Sequence, residues 1–461
     1  MKKGRHYSRE EIAVIIASAI GKTFNEINNL TYITIDESKV QKGSFGSIVE
    51  EALFGIESNV DSSPDFIDAG IELKVTPYKR NKDNTLSAKE RLVLNMIDYM
   101  DEYKHDFETS HFWYKNNTLQ ILWYLYEENK NKLEYKITHE KLLELELSKD
   151  LEQIKKDWYT IINKIKNGKA HEISEADTMY LGECTKGANS NSTREQPFCS
   201  IKAKNRAFCF KTSYMTQLVR KYIGDYSNVE RILDNKNETF EEFINKIVNK
   251  YINKTQCELM KIFNIESNAK NVNSMLISRM FGVKGNLAET EEFMKANIIP
   301  KTIRVEENGR IKESMSFPAF EYKELIKEEW ETSKLRETFE LTKYLFFVFK
   351  MENSEYVFKG IKLWNMPELT IDNEVKKMWD KTVNIIKTGD IVKSIDQNGI
   401  RITNFPGMSE NDVCHVRPHA RDAKDTYPLP VKDKVTGKNE YTKHCFWLNS
   451  KYIEKIVKDL I

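Results

Sequence analysis

The feature that most constrains this chain is an internal repeat, in which the second half echoes the first. Residues 47–55 return as residues 274–282, and residues 69–74 return as residues 296–301, at one common spacing (282 − 55 = 227; 301 − 74 = 227). A further pair, in the same order along the chain, is Phe107-Glu108-Thr109-Ser110 and Trp330-Glu331-Thr332-Ser333. Several landmarks in one order are hard to obtain by chance, so the sequence predicts two copies of one fold.

The length fits this interpretation, since 461 residues are enough for two or three domains with real cores. We predict a first domain at 1–225, a charged linker at 226–241 and a second domain at 242–461. No apolar run reaches the length of a membrane span, and no secretory core follows the basic N-terminus, so we expect a cytoplasmic protein with no membrane partner. The six cysteines include no CxxC pair, which favours free thiols in a reducing compartment.

One short stretch of the first copy, residues 64–74, combines a turn with a strand. Apolar residues alternate with Glu72 and Lys74, and strand side chains point to opposite faces with period two, so the acid and the base share one face. Asp68-Ala69-Gly70 predicts a tight bend before the strand, which can bring Asp65 back beside Glu72.

Two carboxylates and a lysine at a strand end suit metal-assisted phosphodiester cleavage. The acids would hold Mg²⁺, the cation would neutralise the phosphate and acidify a water, and Lys74 would orient that water or stabilise negative charge. The ordinary alternative is a solvated strand face, on which acidic and basic residues commonly alternate.

The second copy separates these alternatives, because it keeps the scaffold and loses two of the three acids. Glu50, which follows Val49 in a short helix closed by Gly55, corresponds to Ile277, and Glu72 corresponds to Ile299. The remaining equivalences are Asp65 with Glu292 and Lys115 with Thr338. Isoleucine cannot ligate a metal, so this selective loss groups Glu50, Asp65 and Glu72 into one predicted metal site and leaves the second copy as a binding or regulatory module.

Charge is distributed unevenly although the net charge is only +1, a balance that excludes a globally basic nucleic-acid coat protein. Residues 196–224 contain no acid and form a candidate phosphate-binding strip. Its basic residues are Lys202, Lys204, Arg206, Lys211, Arg220 and Lys221. A solvated helix face would account for the same composition equally well.

Several stretches together resemble the MutH family, and more closely its two-copy restriction endonucleases of the Sau-three-A type. The matching residues, which span nearly the whole chain, are Phe45-Gly46-x3-Glu50, Asp65-x6-Glu72-Leu73-Lys74-x2-Pro77, Phe107-Glu108-Thr109-Ser110-x4-Lys115, Cys184-Thr185-Lys186-Gly187-Ala188-Asn189, Arg206-Ala207-Phe208 with Lys211, and His415-Val416-Arg417-Pro418-His419. The resemblance implies an α/β chain of two tandem restriction-endonuclease-like domains, each a central mixed sheet flanked by helices.

The resemblance also implies a function and roles for residues. The expected activity is that of a type II restriction endonuclease, hydrolysing double-stranded DNA at GATC with Mg²⁺ and leaving 5′-phosphate ends. Asp65 and Glu72 would bind the metal, Glu50 would complete the acidic cluster, Lys74 would contact the attacking water and Lys115 would support the site. The expected DNA-binding residues are Lys186, Lys202, Lys204, Arg206, Lys211 and Arg417.

One departure concerns the bases that are read. The single-copy repair relative has Arg at the position of Cys184 and Tyr at that of Cys209, so this chain must read its site differently if those side chains read bases there. With one acidic copy per chain, we expect a monomer that pairs on DNA, with the second copy binding a second DNA site and regulating cleavage.

Three alternatives stay open at this stage. A mismatch-repair nickase shares the chemistry, and a DNA-binding protein without catalysis shares the fold. A zinc module on Cys414, His415 and His419 is disfavoured, because Pro418 disrupts a helical ligand pair and no fourth ligand is near. His111 is predicted to be packed or hydrogen-bonded rather than a general base.

The sequence leaves open methylation sensitivity, the bond that is cut, the bases read by each residue and the packing of the copies.

Overall fold

The computed structural model describes residues 5–29, 44–56, 62–187, 192–224, 226, 228–235, 237–266, 269 and 271–461. The chain divides into two compact units, the first comprising residues 1–243 and 289–297 and the second comprising residues 244–288 and 298–461. This grouping differs from the predicted division at 226–241 in one respect beyond the exact boundary. A short segment of the second copy, residues 289–297, belongs with the first unit.

The described helices, in chain order, are α1 (Arg9–Ala19), α2 (Phe24–Asn28), α3 (Ser44–Val49), α4 (His111–Asn116), α5 (Leu151–Lys166), α6 (Thr212–Tyr222), α7 (Phe240–Val248), α8 (Gln256–Ile262), α9 (Val272–Met280), α10 (Glu291–Ala296), α11 (Tyr322–Leu325), α12 (Lys334–Leu341), α13 (Glu368–Thr370), α14 (Lys376–Thr388) and α15 (Ser450–Ile456). Short π-helical turns span Glu50–Phe54 and Ile371–Val375. Among the helices of the described ranges, none is long and apolar enough to cross a membrane.

The described strands of the first unit are β1 (Glu72–Arg80), β2 (Leu86–Ala88), β3 (Leu92–Met96), β4 (Thr118–Leu125), β5 (Ile137–Glu144), β6 (Leu181–Thr185), β7 (Thr193–Gln196), β8 (Cys199–Lys204) and β9 (Arg206–Phe210). Those of the second unit are β10 (Ile298–Val305), β11 (Met315–Ala319), β12 (Lys343–Glu352), β13 (Glu355–Trp364), β14 (Val392–Ile395), β15 (Arg401–Thr403), β16 (Cys414–Pro418), β17 (Thr426–Pro428), β18 (Glu440–Thr442) and β19 (His444–Leu448).

The main sheet of the first unit has the order β2-β1-β4-β5 and is mixed. β1 runs parallel to β4, with Glu72 opposite Leu119 and Lys74 opposite Ile121, whereas β2 and β5 are antiparallel to their neighbours. Seven of the eight residues of β4 are buried, as expected of a central strand covered on both faces. A second, antiparallel sheet has the order β3-β9-β6.

The second unit repeats these pairings, as expected of two copies of one fold, and the mixed α/β class is confirmed. β10 runs parallel to β12, which pairs antiparallel with β13, and an antiparallel sheet has the order β11-β19-β16. The helix starts match too, since the hydroxyl of Ser110 accepts a hydrogen bond from the Trp113 N–H and that of Ser333 accepts one from the Arg336 N–H.

The segment predicted as a linker packs in part against the first unit. Leu233 is buried, and the Glu292 carboxylate of α10 accepts hydrogen bonds from the N–H groups of Ile232 and Leu233. On the same helix, Lys295 Nζ lies 2.7 Å from a carboxylate oxygen of Asp150, and both side chains are buried. Buried charges that are paired in this way fix α10 within the first unit.

Candidate active site

The predicted bend before β1 folds Asp65 back against Glu72. Phe66 and Ile71 exchange two backbone hydrogen bonds, of 2.9 and 3.2 Å, and Gly70 lies at φ +65°, a conformation that favours glycine. As a result the Asp65 N–H donates to Glu72 Oε2 (3.2 Å), and the Leu73 N–H donates to Asp65 Oδ2 (2.9 Å). Two carboxylates therefore meet at the first residue of β1.

Two lysines converge on the same carboxylate from different elements. Lys74 Nζ donates to Glu72 Oε1 at 2.7 Å, because residues two apart on a strand share a face. Lys115, near the end of α4, places its Nζ 3.6 Å from Glu72 Oε2 and donates to the backbone carbonyl of Ser63 at 3.1 Å. Glu72 is only 3% exposed, so its charge is balanced by these ammonium groups rather than by water.

Glu50 faces this group from the first residue of the π-helical turn that follows α3. Burial and, after it, the charge of Asp65 raise the pKa of Glu50 against the opposing effect of Lys74, and the net result is a pKa of about 7. Burial and the charge of Glu72 likewise raise the pKa of Asp65, the Leu73 N–H and the two lysines oppose the rise, and the net result is a pKa of about 6. These mutual effects place the three predicted acids in one electrostatic cluster.

The donor set fits a hard divalent cation. All three acids offer oxygen ligands, and within the described residues the Glu50 carboxylate has no hydrogen-bond partner. The pKa values of Glu50 and Asp65 are raised first by burial and then by the neighbouring carboxylates, so a cation bound among the three acids would favour their ionised forms. The carboxylate oxygens of the three acids are farther apart than in a closed ligand shell. In the described chain the one group of three residues whose ligand atoms all lie within 4.8 Å of one another is a different one, Asp101, His105 and His111.

Comparison with known proteins agrees with this geometry. Residues 54–157 match the family model described as "DNA mismatch repair enzyme MutH". The "Type II restriction enzyme Sau3AI" of Staphylococcus aureus is 39% identical, an alignment that covers 96% of this chain and 97% of that protein. The chain belongs to the MutH-type restriction endonucleases. It is accordingly an enzyme of the type II restriction class, a site-specific deoxyribonuclease.

In this restriction endonuclease the predicted DNA-binding residues of the first unit fall into two groups. The side chains of Lys186, Lys202 and Lys204 are exposed, on the loop after β6 and on β8, although Lys202 also pairs with Glu195 at 2.9 Å. The adjoining positions Ala188 and Asn189 lie outside the described residues. These three lysines are accessible to solvent, and their contact with DNA stays a prediction.

Arg206 and Lys211 are placed differently, because both are buried. Arg206 forms an ion pair with Glu183, and Lys211 donates to the backbone carbonyls of Glu175 and Thr178. With their charged ends engaged inside the protein, these two side chains support the second sheet of the endonuclease rather than presenting charge to solvent. The expectation that they contact DNA needs this correction.

The second unit presents Arg417 on β16. Arg417 is exposed, and its guanidinium lies 5.3 Å from the ring centre of Trp447 on β19. Each is the fourth residue of its strand, the place that Cys184 and Cys209 occupy in β6 and β9. Where the first copy of the enzyme has two buried thiols, the second therefore has a cation stacked on an aromatic ring.

One contact of the site escaped prediction. Arg5 donates to the backbone carbonyls of Ser63, Pro64 and Asp65, and so braces the segment that carries the first acid. Its place in a short basic N-terminus gives no sign of this role, because the partners are backbone atoms about sixty residues away in the sequence. The alternative zinc module is not formed in the described chain, since His415 instead bonds Asn449.

Proposed function

We propose that this enzyme hydrolyses double-stranded DNA at GATC in a Mg²⁺-dependent reaction that leaves 5′-phosphate ends. The observation that carries the proposal is the return of Asp65 onto Glu72, with Lys74 and Lys115 on the same carboxylate. Oxygen donors with an excess of negative charge suit Mg²⁺, which prefers carboxylates and keeps several waters. The resemblance of the whole chain to GATC-cleaving relatives supports the choice of sequence.

In this proposal Asp65 and Glu72 hold the metal, and Glu50 completes the acidic cluster. The bound Mg²⁺ would neutralise the scissile phosphate and acidify a water. Lys74, held by Glu72 Oε1, orients the attacking water toward the phosphorus and stabilises developing negative charge. Lys115, held between Glu72 and the Ser63 carbonyl, keeps a second ammonium at the same place. The bond that breaks is the one to the 3′-oxygen, which leaves the phosphate on the 5′ end.

The second unit is proposed to bind a second DNA site. It has isoleucine in place of two acids, so it would bind without cutting. Arg417 supports this role, because an exposed arginine steadied by an aromatic face can donate two hydrogen bonds to the major-groove edge of a guanine. Since each chain has one acidic copy, cutting both strands of a palindrome requires two chains or two visits, and we propose that monomers pair on DNA. Action in the cytoplasm stays a prediction.

The central experiment digests plasmid DNA of known sequence and maps the ends. Wild-type enzyme with Mg²⁺ should cut at GATC with 5′-phosphates, and Glu72→Ala should abolish cutting. Glu134→Ala is the matched control, because Glu134 is an exposed acid of the same unit. Ends at another sequence would contradict the GATC assignment, and cleavage that persists in Glu72→Ala would contradict the metal site. Equal activity without a divalent cation would contradict Mg²⁺ dependence.

A mismatch-repair-type nickase is the second candidate, favoured by the family model that matches residues 54–157. The product separates the two activities, since a restriction enzyme makes linear DNA from a one-site plasmid and a nickase makes open circles. A non-catalytic DNA-binding protein would give neither product.

The role of the second unit has its own test. Gel filtration and cleavage rates with one-site and two-site DNA should show larger assemblies and faster cutting when a second site is present. Arg417→Ala should remove that difference, whereas Lys424→Ala, at another exposed cation of the second unit, should keep it. No change in assembly or rate with the second site would contradict the proposal.

A further inference from the structure

Outside the acidic cluster, Asp101, His105 and His111 meet in the segment that leads into α4. His111 Nε2 lies 2.8 Å from Asp101 Oδ2, and His105 Nε2 lies 3.4 Å from the same oxygen. The two imidazole rings are 5.1 Å apart, edge to face. In the described chain this is the one group of three His, Cys, Asp or Glu residues whose ligand atoms all lie within 4.8 Å of one another.

These distances suit a tetrahedral metal ion. Ligands at about 2.0–2.1 Å from such an ion lie about 3.3 Å apart, so a small opening of the His111–Asp101 pair makes room for one. The three side chains are 32–42% exposed, which leaves space for water as a fourth ligand. Two imidazoles and one carboxylate form a donor set for Zn²⁺ and similar ions, whereas Mg²⁺ prefers oxygen alone.

Charged groups of both signs surround the three side chains. Lys104 lies 3.0 Å from Asp101, but on Oδ1, which leaves Oδ2 to the two histidines. Beneath them Glu102 is 1% exposed and interacts electrostatically with both rings. Its Oε1 accepts from the Phe112 N–H and the Trp158 indole, while Oε2 has no hydrogen-bond partner in the described chain. This buried carboxyl group therefore lies within electrostatic reach of both imidazoles.

We propose that Asp101, His105 and His111 bind a transition-metal ion of the Zn²⁺ class, with water as the fourth ligand. This site is distinct from the acidic cluster in its residues and in the metal that it selects. His111 is the first residue of α4 and Lys115 the fifth, about 6 Å apart along the helix axis. An ion held at His111 would tie the start of α4 to Asp101, and so position the helix that carries Lys115.

The experiment measures binding of Zn²⁺ by equilibrium dialysis and of Co²⁺ by visible absorption, each metal alone, with the full chain and with Mg²⁺ in the buffer. The test variants are His105→Ala and His111→Ala. His6→Ala is the matched control, because His6 also pairs with a carboxylate, Asp68 at 3.1 Å, but has no second histidine beside it. Thermal unfolding with and without Zn²⁺ is followed for all four proteins.

The wild-type chain and His6→Ala should bind one ion, with tetrahedral Co²⁺ bands and an unfolding midpoint raised by Zn²⁺. Each test variant should bind at least roughly 10- to 100-fold more weakly, the loss seen even when only a supporting partner of a ligand is removed. Binding that is equal in wild type and variants would overturn the proposal, as would no binding by the wild type. A thiolate absorption band would assign the metal to cysteines and overturn it as well.

Discussion

The two copies enter their central sheets in the same way and then differ in what they place there. Glu72 and Lys74 stand in β1 opposite Leu119 and Ile121 of β4, while Ile299 and Lys301 stand in β10 opposite Tyr344 and Phe346 of β12. The parallel pairing is the same although the acid has gone. Ile299 instead packs against the core of the second unit. The sheet is therefore built by the apolar residues, and the acids are an addition that it tolerates.

The acids that precede these strands show the same division. Asp65 turns back onto the start of its own strand, beside Glu72, whereas Glu292 is held by the N–H groups of Ile232 and Leu233. The lysines of the two strands also differ in their surroundings. Lys74 is paired with Glu72, but burial alone acts on Lys301 and lowers its pKa. In the proposed mechanism the first acid serves the chemistry, whereas the second holds the fold.

The largest effect is expected from exchanging Glu72 of β1 and Ile299 of β10, the residues in which the two copies differ at the start of the strand. Glu72→Ile should lower the cleavage rate at least about 1,000-fold, a loss of roughly 4 kcal/mol of transition-state stabilisation, because a metal ligand disappears. Ile299→Glu should create no new activity, since Ile277 stands in the place of Glu50 and Glu292 is already held by the N–H groups of Ile232 and Leu233. Single-turnover rates on a one-site plasmid measure both. If Glu72→Ile retained a tenth of the wild-type rate, the loss of this acid could not explain why the second copy is proposed to bind without cutting.

Lys115→Thr copies Thr338 of the second unit and tests the support from α4. Losing one ammonium beside Glu72 should lower the cleavage rate roughly 100-fold, in the range found for single groups that stabilise developing charge. Circular dichroism should show that the fold is kept. Thr338→Lys is the reciprocal control and should leave the rate unchanged. A rate within about threefold of wild type for Lys115→Thr would place Lys115 outside the chemistry.

Glu292→Ala sharpens the contrast between the two acids. The variant leaves two buried N–H groups without their acceptor, so the free energy of unfolding should fall by about 1–3 kcal/mol, while the cleavage rate of the folded enzyme should hold. Asp65→Ala should do the reverse, with loss of cleavage and a smaller change in stability. Urea unfolding together with active-site titration separates these effects. If Glu292→Ala lost activity at full stability, the division of roles would be wrong.

The last prediction concerns the dependence of stability on pH without metal. Glu50 and Asp65 have pKa values of about 7 and about 6 in the folded chain, against ordinary values of 4.5 and 3.8. The folded state therefore holds more protons between pH about 4 and about 7, and the free energy of unfolding should fall as pH rises through that window, by up to about 1.4 kcal/mol per pH unit for each group. Glu50→Gln should flatten the slope, as measured by urea unfolding in EDTA. An identical slope in that variant would contradict the assigned shift.

Much of the candidate site could be predicted because its determinants are local. The alternation of β1 and the glycine bend are visible in consecutive residues, and they sufficed to bring Asp65 to Glu72. The helix closed by Gly55 was also visible, but periodicity could not show that its end, Glu50–Phe54, widens into a π-helical turn.

What could not be predicted depends on distant partners. Arg206 and Lys211 count as positive charge in the sequence, but Glu183 and the carbonyls of Glu175 and Thr178 take up that charge inside the fold. The packing of α10 in the first unit likewise needs Asp150, which lies 145 residues from its partner Lys295. Composition identifies the type of charge, and only the fold identifies its neighbour.

Because α10 packs in the first unit, the boundary between the two sequence copies differs from the boundary between the two compact units. A polypeptide ending at residue 243 would contain the whole first copy and still lack Lys295, whose ammonium group lies 2.7 Å from Asp150. An interior carboxylate stripped of such a counterion typically costs several kcal/mol. The first copy expressed alone should therefore be less stable than in the full chain, although Arg231 still lies 3.8 Å from Asp150. A fragment designed to fold by itself should include residues 289–297.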